Sequence, residues 1–147
     1  MSLLQAIGTQ LARFLTKEHL HNDSYYRISI DDIKSTLKPG DVVLVEGQSR
    51  VSAAIQFITN SNWSHAAIFI GKKESLNHCL IEVKAVEGCT FTDINAYMHH
   101  NLRICRPIFL NKRKRKLLVD HLIKKIGSKY DLKNIIDLIR YIYPNPP

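Results

Sequence analysis

A chain of 147 residues with 45% hydrophobic and 23% charged side chains has the size and composition of one folded domain, which excludes wholesale disorder. Three cysteines without repeated spacing, Cys79, Cys89 and Cys105, exclude a disulfide framework and a paired-cysteine metal site, and fit free thiols in a reducing compartment. The formal charge of +8 is concentrated: residues 1–110 carry 11 basic and 10 acidic side chains, residues 111–147 carry 10 and 3, so attraction to phosphate is confined to the last quarter.

Leu3, Leu4, Ile7, Leu11, Phe14 and Leu15 recur at three- and four-residue steps and predict an amphipathic helix over 2–17. The segment lacks the basic leader and clean apolar run of a secretory signal, and no stretch reaches the roughly 20 apolar residues of a membrane span. A cytoplasmic location is the expectation. Arg13 and Lys17 make a weak basic face, so this helix is expected to pack on the domain or on a second copy. Ser29 or Asp31 is predicted to cap a short helix through Leu37, and Lys38-Pro39-Gly40 forces a turn. Asp41–Glu46 reads as a buried strand, and Ser49 as the cap of a helix to Thr59. His65–Ile70 and Cys79–Val83 read as two strands joined by residues 71–77, and Leu102–Arg106 as another closed by Pro107. A helix starting at Asn111 or its neighbours and running through Ile126 ends at Gly127, and a last one runs from Asp131 to Tyr143, where Pro144 stops it. This order predicts an α+β domain with an antiparallel sheet at its centre.

If Gly71 faces His78 across the turn, His65 faces Lys84 and Glu82 faces Ala67. Side chains two apart share a strand face, so His65 and Glu82 become diagonal neighbours, with Cβ atoms roughly 7–8 Å apart or less. A carboxylate that holds an imidazole fixes its tautomer and leaves the other nitrogen to exchange a proton with a nucleophile. On spacing alone a histidine and a glutamate on one strand face are more often a surface pair. The opposite face, Ala66, Ile68, Ile70, Ile81 and Val83, is expected to be the one that packs.

The stretches Lys38-Pro39-Gly40-Asp41-Val42-Val43-Leu44-Val45-Glu46-Gly47, Trp63-Ser64-His65-Ala66-Ala67-Ile68-Phe69-Ile70-Gly71, Leu80-Ile81-Glu82-Val83, Arg103-Ile104-Cys105-Arg106-Pro107 and Lys129-Tyr130-Asp131 together resemble the permuted papain-like amidases of the YaeF/YiiX group. These are bacterial-type thiol hydrolases of the NlpC superfamily. The resemblance implies a circularly permuted papain-like (NlpC-type) fold over 37–147, a small antiparallel sheet flanked by helices and incomplete at its C-terminal end, after a helical segment over 1–36. It places the catalytic histidine on His65 and its acidic partner on Glu82. Tyr130 and Asp131 fall near the site as support, with a helix N-cap the equal alternative for Asp131. Trp63, beside Ser64 and His65, reads either as a residue that gates or lines the cleft or as packing over the strand end, with Ser64 as further support of the site. The nucleophilic cysteine of these relatives lies C-terminal to the Tyr-Asp, at a helix start that favours the thiolate. No cysteine follows Cys105 here. The expectation is a chain shortened before the nucleophile and inactive alone, cleaving amide or ester bonds when intact. Its substrate would be peptide-like, of cell-wall type, or an acyl lipid. A non-catalytic lipid- or peptide-binding module on the same fold is the alternative. An exposed apolar patch near His65, covered by a second copy or by the absent segment, follows from an incomplete fold.

Lys112-Arg113-Lys114-Arg115-Lys116 reads either as the solvated start of a helix or as an anion contact. Basic residues there oppose the helix macrodipole, a hint of use beyond folding. Anionic lipid is the partner favoured; nucleic acid is disfavoured, because no stacking aromatics interleave the charges. His99-His100 and the scattered His19, His21, His78 and His121 lack ligand spacing and read as surface histidines, so neither metal nor cofactor is expected.

Overall fold

The computed structural model describes residues 29–129, which leaves the helices expected over 2–17 and 131–143 outside the described residues. Five strands form one antiparallel sheet in the order β4-β3-β2-β1-β5. They are β1 (Val42–Val45), β2 (His65–Lys73), β3 (Leu76–Lys84), β4 (Gly88–Asp93) and β5 (Leu102–Cys105). Helix α1 (Ile30–Thr36) precedes β1, α2 (Arg50–Thr59) connects β1 to β2, a 3-10 turn (Ile94–Tyr97) follows β4, and α3 (Lys112–Ile123) follows β5. The expected α+β class and flanking helices are present. The extra strand β4 and the 3-10 turn fall where the sequence showed no pattern.

Helix starts follow capping chemistry. Ser29 Oγ accepts the Asp31 N–H, Ser49 Oγ the Ser52 N–H, and Asn111 Oδ1 the Lys114 N–H, each meeting one of the donors a helix leaves open. Lys38-Pro39-Gly40-Asp41 closes as a type II turn: the Asp41 N–H donates to the Lys38 carbonyl at 2.9 Å, with Gly40 at φ 88°. That turn aims the Asp41 carboxylate inward, where it is wholly buried. It accepts the Lys38 N–H at 2.8 Å and the Arg106 guanidinium through Nε at 3.0 Å and Nη2 at 2.7 Å, and Arg115 Nη1 stands 3.5 Å away. Burial by itself would raise the Asp41 pKa; the bonds from Arg106 and Lys38 outweigh it and hold the carboxyl below its ordinary value.

The hairpin register is the expected one where it matters. Ile68 faces Ile81 and Phe69 faces Leu80, which carried onward sets Ala67 against Glu82. The strands run further than predicted, to a turn at Glu74-Ser75. Gly71 faces Cys79 rather than His78, and two register shifts flank it.

Both faces of the sheet pack, where only the face opposite His65 was expected to. The larger core lies on the His65 side of the sheet, where Val43, Val45, Ala67, Phe69 and Leu80 meet Ile33 and Leu37 from α1 and its end, Ile94 from the 3-10 turn, and Leu102. The other side holds a smaller cluster, Ile70, Cys79, Ile81 and Cys89, against Val119, Leu122, Ile123 and Ile126. The alternation of apolar residues marks both faces of β2 and β3, so it could not rank them. The His65 face is therefore covered over much of its area by α1 and the 3-10 turn rather than left bare.

Candidate active site

His65 opens β2 and Glu82 lies near the end of β3, so the fixed register brings them together. His65 Nε2 and Glu82 Oε2 are 2.5 Å apart. The glutamate side chain is fully buried and the imidazole 30% exposed. This pairing is what the sequence reading anticipated. Neutral imidazole with its proton on Nε2 donates to the carboxylate, which leaves Nδ1 as the basic nitrogen.

A third residue completes the arrangement and had no sequence signal. The Tyr97 hydroxyl, carried by the 3-10 turn, donates to the same Oε2. Its ring lies 6.2 Å from that of His65 and meets the His100 ring edge-on at 5.6 Å. His100, expected on the surface, is buried. The Lys84 ammonium stands 3.3 Å from Glu82 Oε1, close enough to attract but without the alignment of a hydrogen bond. The Thr92 hydroxyl of β4 adds to the attraction, although its alignment likewise falls short of a hydrogen bond. Burial pushes the Glu82 pKa up, but His65, Thr92, Tyr97 and the Lys84 charge outweigh it and bring the carboxyl down to about 2. Glu82 is ionised across the physiological range and accepts from its neighbours as an anion.

The pair opens onto a cleft of about 430 Å³ between the ends of β1, β2 and β3 and the first turns of α2. Apolar Val51, Ile55, Val83 and Val86 and polar Ser49, Ser52, Ser64 and Lys84 line it. Gln56 of α2 donates from Nε2 to the Gly47 and Asn62 carbonyls, fixing the helix beside the strand ends. Gly47 is a close approach: a Cβ there would meet Ser52 Oγ at 2.3 Å and Ser64 Oγ at 2.7 Å. The Gly47 N–H donates to that Ser64 hydroxyl, which lines the cleft.

Trp63 faces elsewhere. It lines a neighbouring cavity of about 480 Å³ with Glu46, Asn101 and Arg103, and the Arg103 guanidinium lies 5.1 Å from its ring centre. Trp63 precedes β2, outside the strand whose alternation orients His65, and it does not line the cleft. Tyr130 and Asp131 lie outside the described residues. Of the basic run, Lys112, Arg113, Lys114 and Lys116 are exposed, whereas Arg115 is no anion contact: its guanidinium is spent on Asp41 and on the Pro39 and Leu110 carbonyls.

No cysteine enters the cleft. Cys79 and Cys89 are buried in the smaller cluster on the other side of the sheet, Cys89 on β4. Cys105 faces Val42 across the β1–β5 ladder. Burial pushes the Cys79 and Cys89 thiols up, away from the reactive thiolate. Among the described residues, no three His, Cys, Asp or Glu side chains converge as a metal site requires, and no helix is long and apolar enough to cross a membrane.

A family of permuted papain-like amidase enzymes, YaeF/YiiX, C92, matches residues 36–141. The chain belongs to this family. The match spans the whole described sheet, His65 and Glu82 included, and membership places the protein among hydrolases of the papain-like kind. No curated protein matches the chain.

Proposed function

We propose that the protein is the histidine- and carboxylate-bearing part of a thiol hydrolase that cleaves amide or ester bonds, with the nucleophilic cysteine supplied from outside these 147 residues. The observation that carries this reading is a buried, ionised glutamate bound to one imidazole nitrogen at 2.5 Å, with the imidazole opening onto a cleft. In the reaction, His65 Nδ1 takes the thiol proton and the thiolate attacks the carbonyl carbon. The imidazolium returns the proton to the departing amine or alcohol, and water then hydrolyses the acyl thioester by the same route. Glu82 holds the ring in one tautomer and stabilises its cation, and Tyr97 holds Glu82. Apolar walls beside Ser49, Ser52 and Lys84 suit a peptide-like, cell-wall-type or acyl-lipid substrate with a polar group next to an apolar one.

A second reading rests on a specific observation: none of the three cysteines reaches the cleft. Without a nucleophile from elsewhere, the same cleft serves as a non-catalytic lipid- or peptide-binding module. Labelling the complete gene product with iodoacetamide separates the two. The hydrolase reading requires a cysteine absent from this chain that labels rapidly, and a slowing of at least about tenfold in His65→Ala, as the thiolate loses its imidazolium partner. A complete product with no such cysteine overturns the hydrolase reading and leaves the binding module.

A further inference from the structure

The connection from β5 to α3 presents an unusual surface. Ile108 and Phe109 are each 83% exposed, more than any other large hydrophobic side chain among the described residues. Lys112, Arg113, Lys114 and Lys116 follow immediately, all exposed, with Leu117 59% exposed beside them. Single exposed apolar residues are ordinary on a protein surface; two adjacent ones at the edge of four cations are not.

The mounting is firm. Arg115, turned inward, ties the start of α3 to the Leu110 and Pro39 carbonyls and to buried Asp41. Val119, Leu122 and Ile123 seat the rest of α3 on the sheet. The exposed side chains therefore stand on a braced loop and helix start. Cations in the first turn of a helix oppose its macrodipole, so this placement gives up some helix stability. Asp120 is the only acid on α3, and it lies beyond the first turn. Helix α3 packs on the sheet face opposite the His65 core, so a partner seated on the loop leaves the cleft open.

A bilayer with anionic headgroups offers partners for both halves of this surface: phosphate and carboxylate for the cations, and the headgroup–acyl boundary for Ile108 and Phe109. Duplex nucleic acid meets only the charges, because an apolar wedge such as Ile108 with Phe109 must unstack bases to be buried. We infer that the protein docks on anionic lipid bilayers, with Ile108 and Phe109 entering at headgroup depth and Lys112, Arg113, Lys114 and Lys116 holding the surface around them. This docking does not depend on the chemistry of the cleft.

The test is co-sedimentation of the full chain with vesicles of equimolar phosphatidylserine and phosphatidylcholine, and with phosphatidylcholine alone. Binding to the anionic vesicles is expected, with little to the neutral ones. Each of Lys112→Gln and Arg113→Gln should weaken binding about fivefold. The double change Ile108→Ser with Phe109→Ser should weaken it about tenfold or more, with circular dichroism and the unfolding midpoint unchanged. Failure to sediment with anionic vesicles at low salt overturns the inference. So does undiminished binding by the double serine variant, or duplex DNA that competes equally well for the intact protein and that variant, which would mark a nucleic-acid surface instead.

Discussion

Replacing Glu82 by Gln keeps the shape of the side chain and removes its charge from a site built to hold an anion. The Glu82 pKa stands at about 2 against an ordinary 4.5, a difference worth about 3 kcal/mol of folding stability when the group is fully ionised. The amide costs less to bury and still accepts one hydrogen bond, so the net loss at pH 7 is about 2 kcal/mol. Its pH dependence is the sharper expectation. The folded-state pKa is depressed, so the folded protein binds fewer protons than the unfolded chain. The contribution is complete above the ordinary value of 4.5 and is lost as pH falls towards 2. By pH 3 the native protein has forfeited about 2 kcal/mol of it, and the gap between native and variant should nearly close. Urea unfolding of both proteins at pH 7 and pH 3 measures this directly, and taking the difference cancels the titration of every other carboxyl. A gap that stays constant between the two pH values would refute the ionised, multiply bonded glutamate.

Two further outcomes follow from the same structure. Asp41→Asn leaves Arg106 and Arg115 facing a neutral amide in a buried position, and urea unfolding should show a loss of about 3 kcal/mol, because one partner of a buried ion cluster has been removed; a loss within experimental error would mean the arginines gain as much from water as from the carboxylate. Native iodoacetamide labelling followed by peptide mass spectrometry should modify Cys105 first, with Cys79 and Cys89 protected until urea unfolds the chain, since both are buried and their thiols are pushed up; equal labelling of all three would place the smaller cluster in water.

How far the sequence could be read depended on the distance over which a pattern had to act. His65 and Glu82 were legible because a two-residue period and one short hairpin decide whether they share a face, and the register at that end fell as expected. Ser29 and Ser49 were legible as caps because capping is local. Tyr97 was not: it sits on a single 3-10 turn, too short to carry a periodicity, and reaches Glu82 only because β4 folds back along β3. The roles of Arg106 and Arg115 were hidden because each meets Asp41 across more than sixty residues of chain. Read locally, Arg115 was one of five equal cations. Trp63 was assigned to the site by proximity to His65 in sequence, but it lies before β2 begins, where no strand period fixes its direction, and it lines the neighbouring cavity.

The irregular stretch around Gly71 bears on how the hairpin could vary. Two opposite register shifts, one on either side of Gly71, separate the Glu74-Ser75 tip from the regular ladder that carries His65 and Glu82. Slack of this kind decouples the two ends of the hairpin: a residue gained or lost at the tip can be taken up at the bulges before it slips the ladder. The tip is thus the place where this domain can be lengthened, decorated or joined to another chain while the imidazole and its carboxylate keep their alignment.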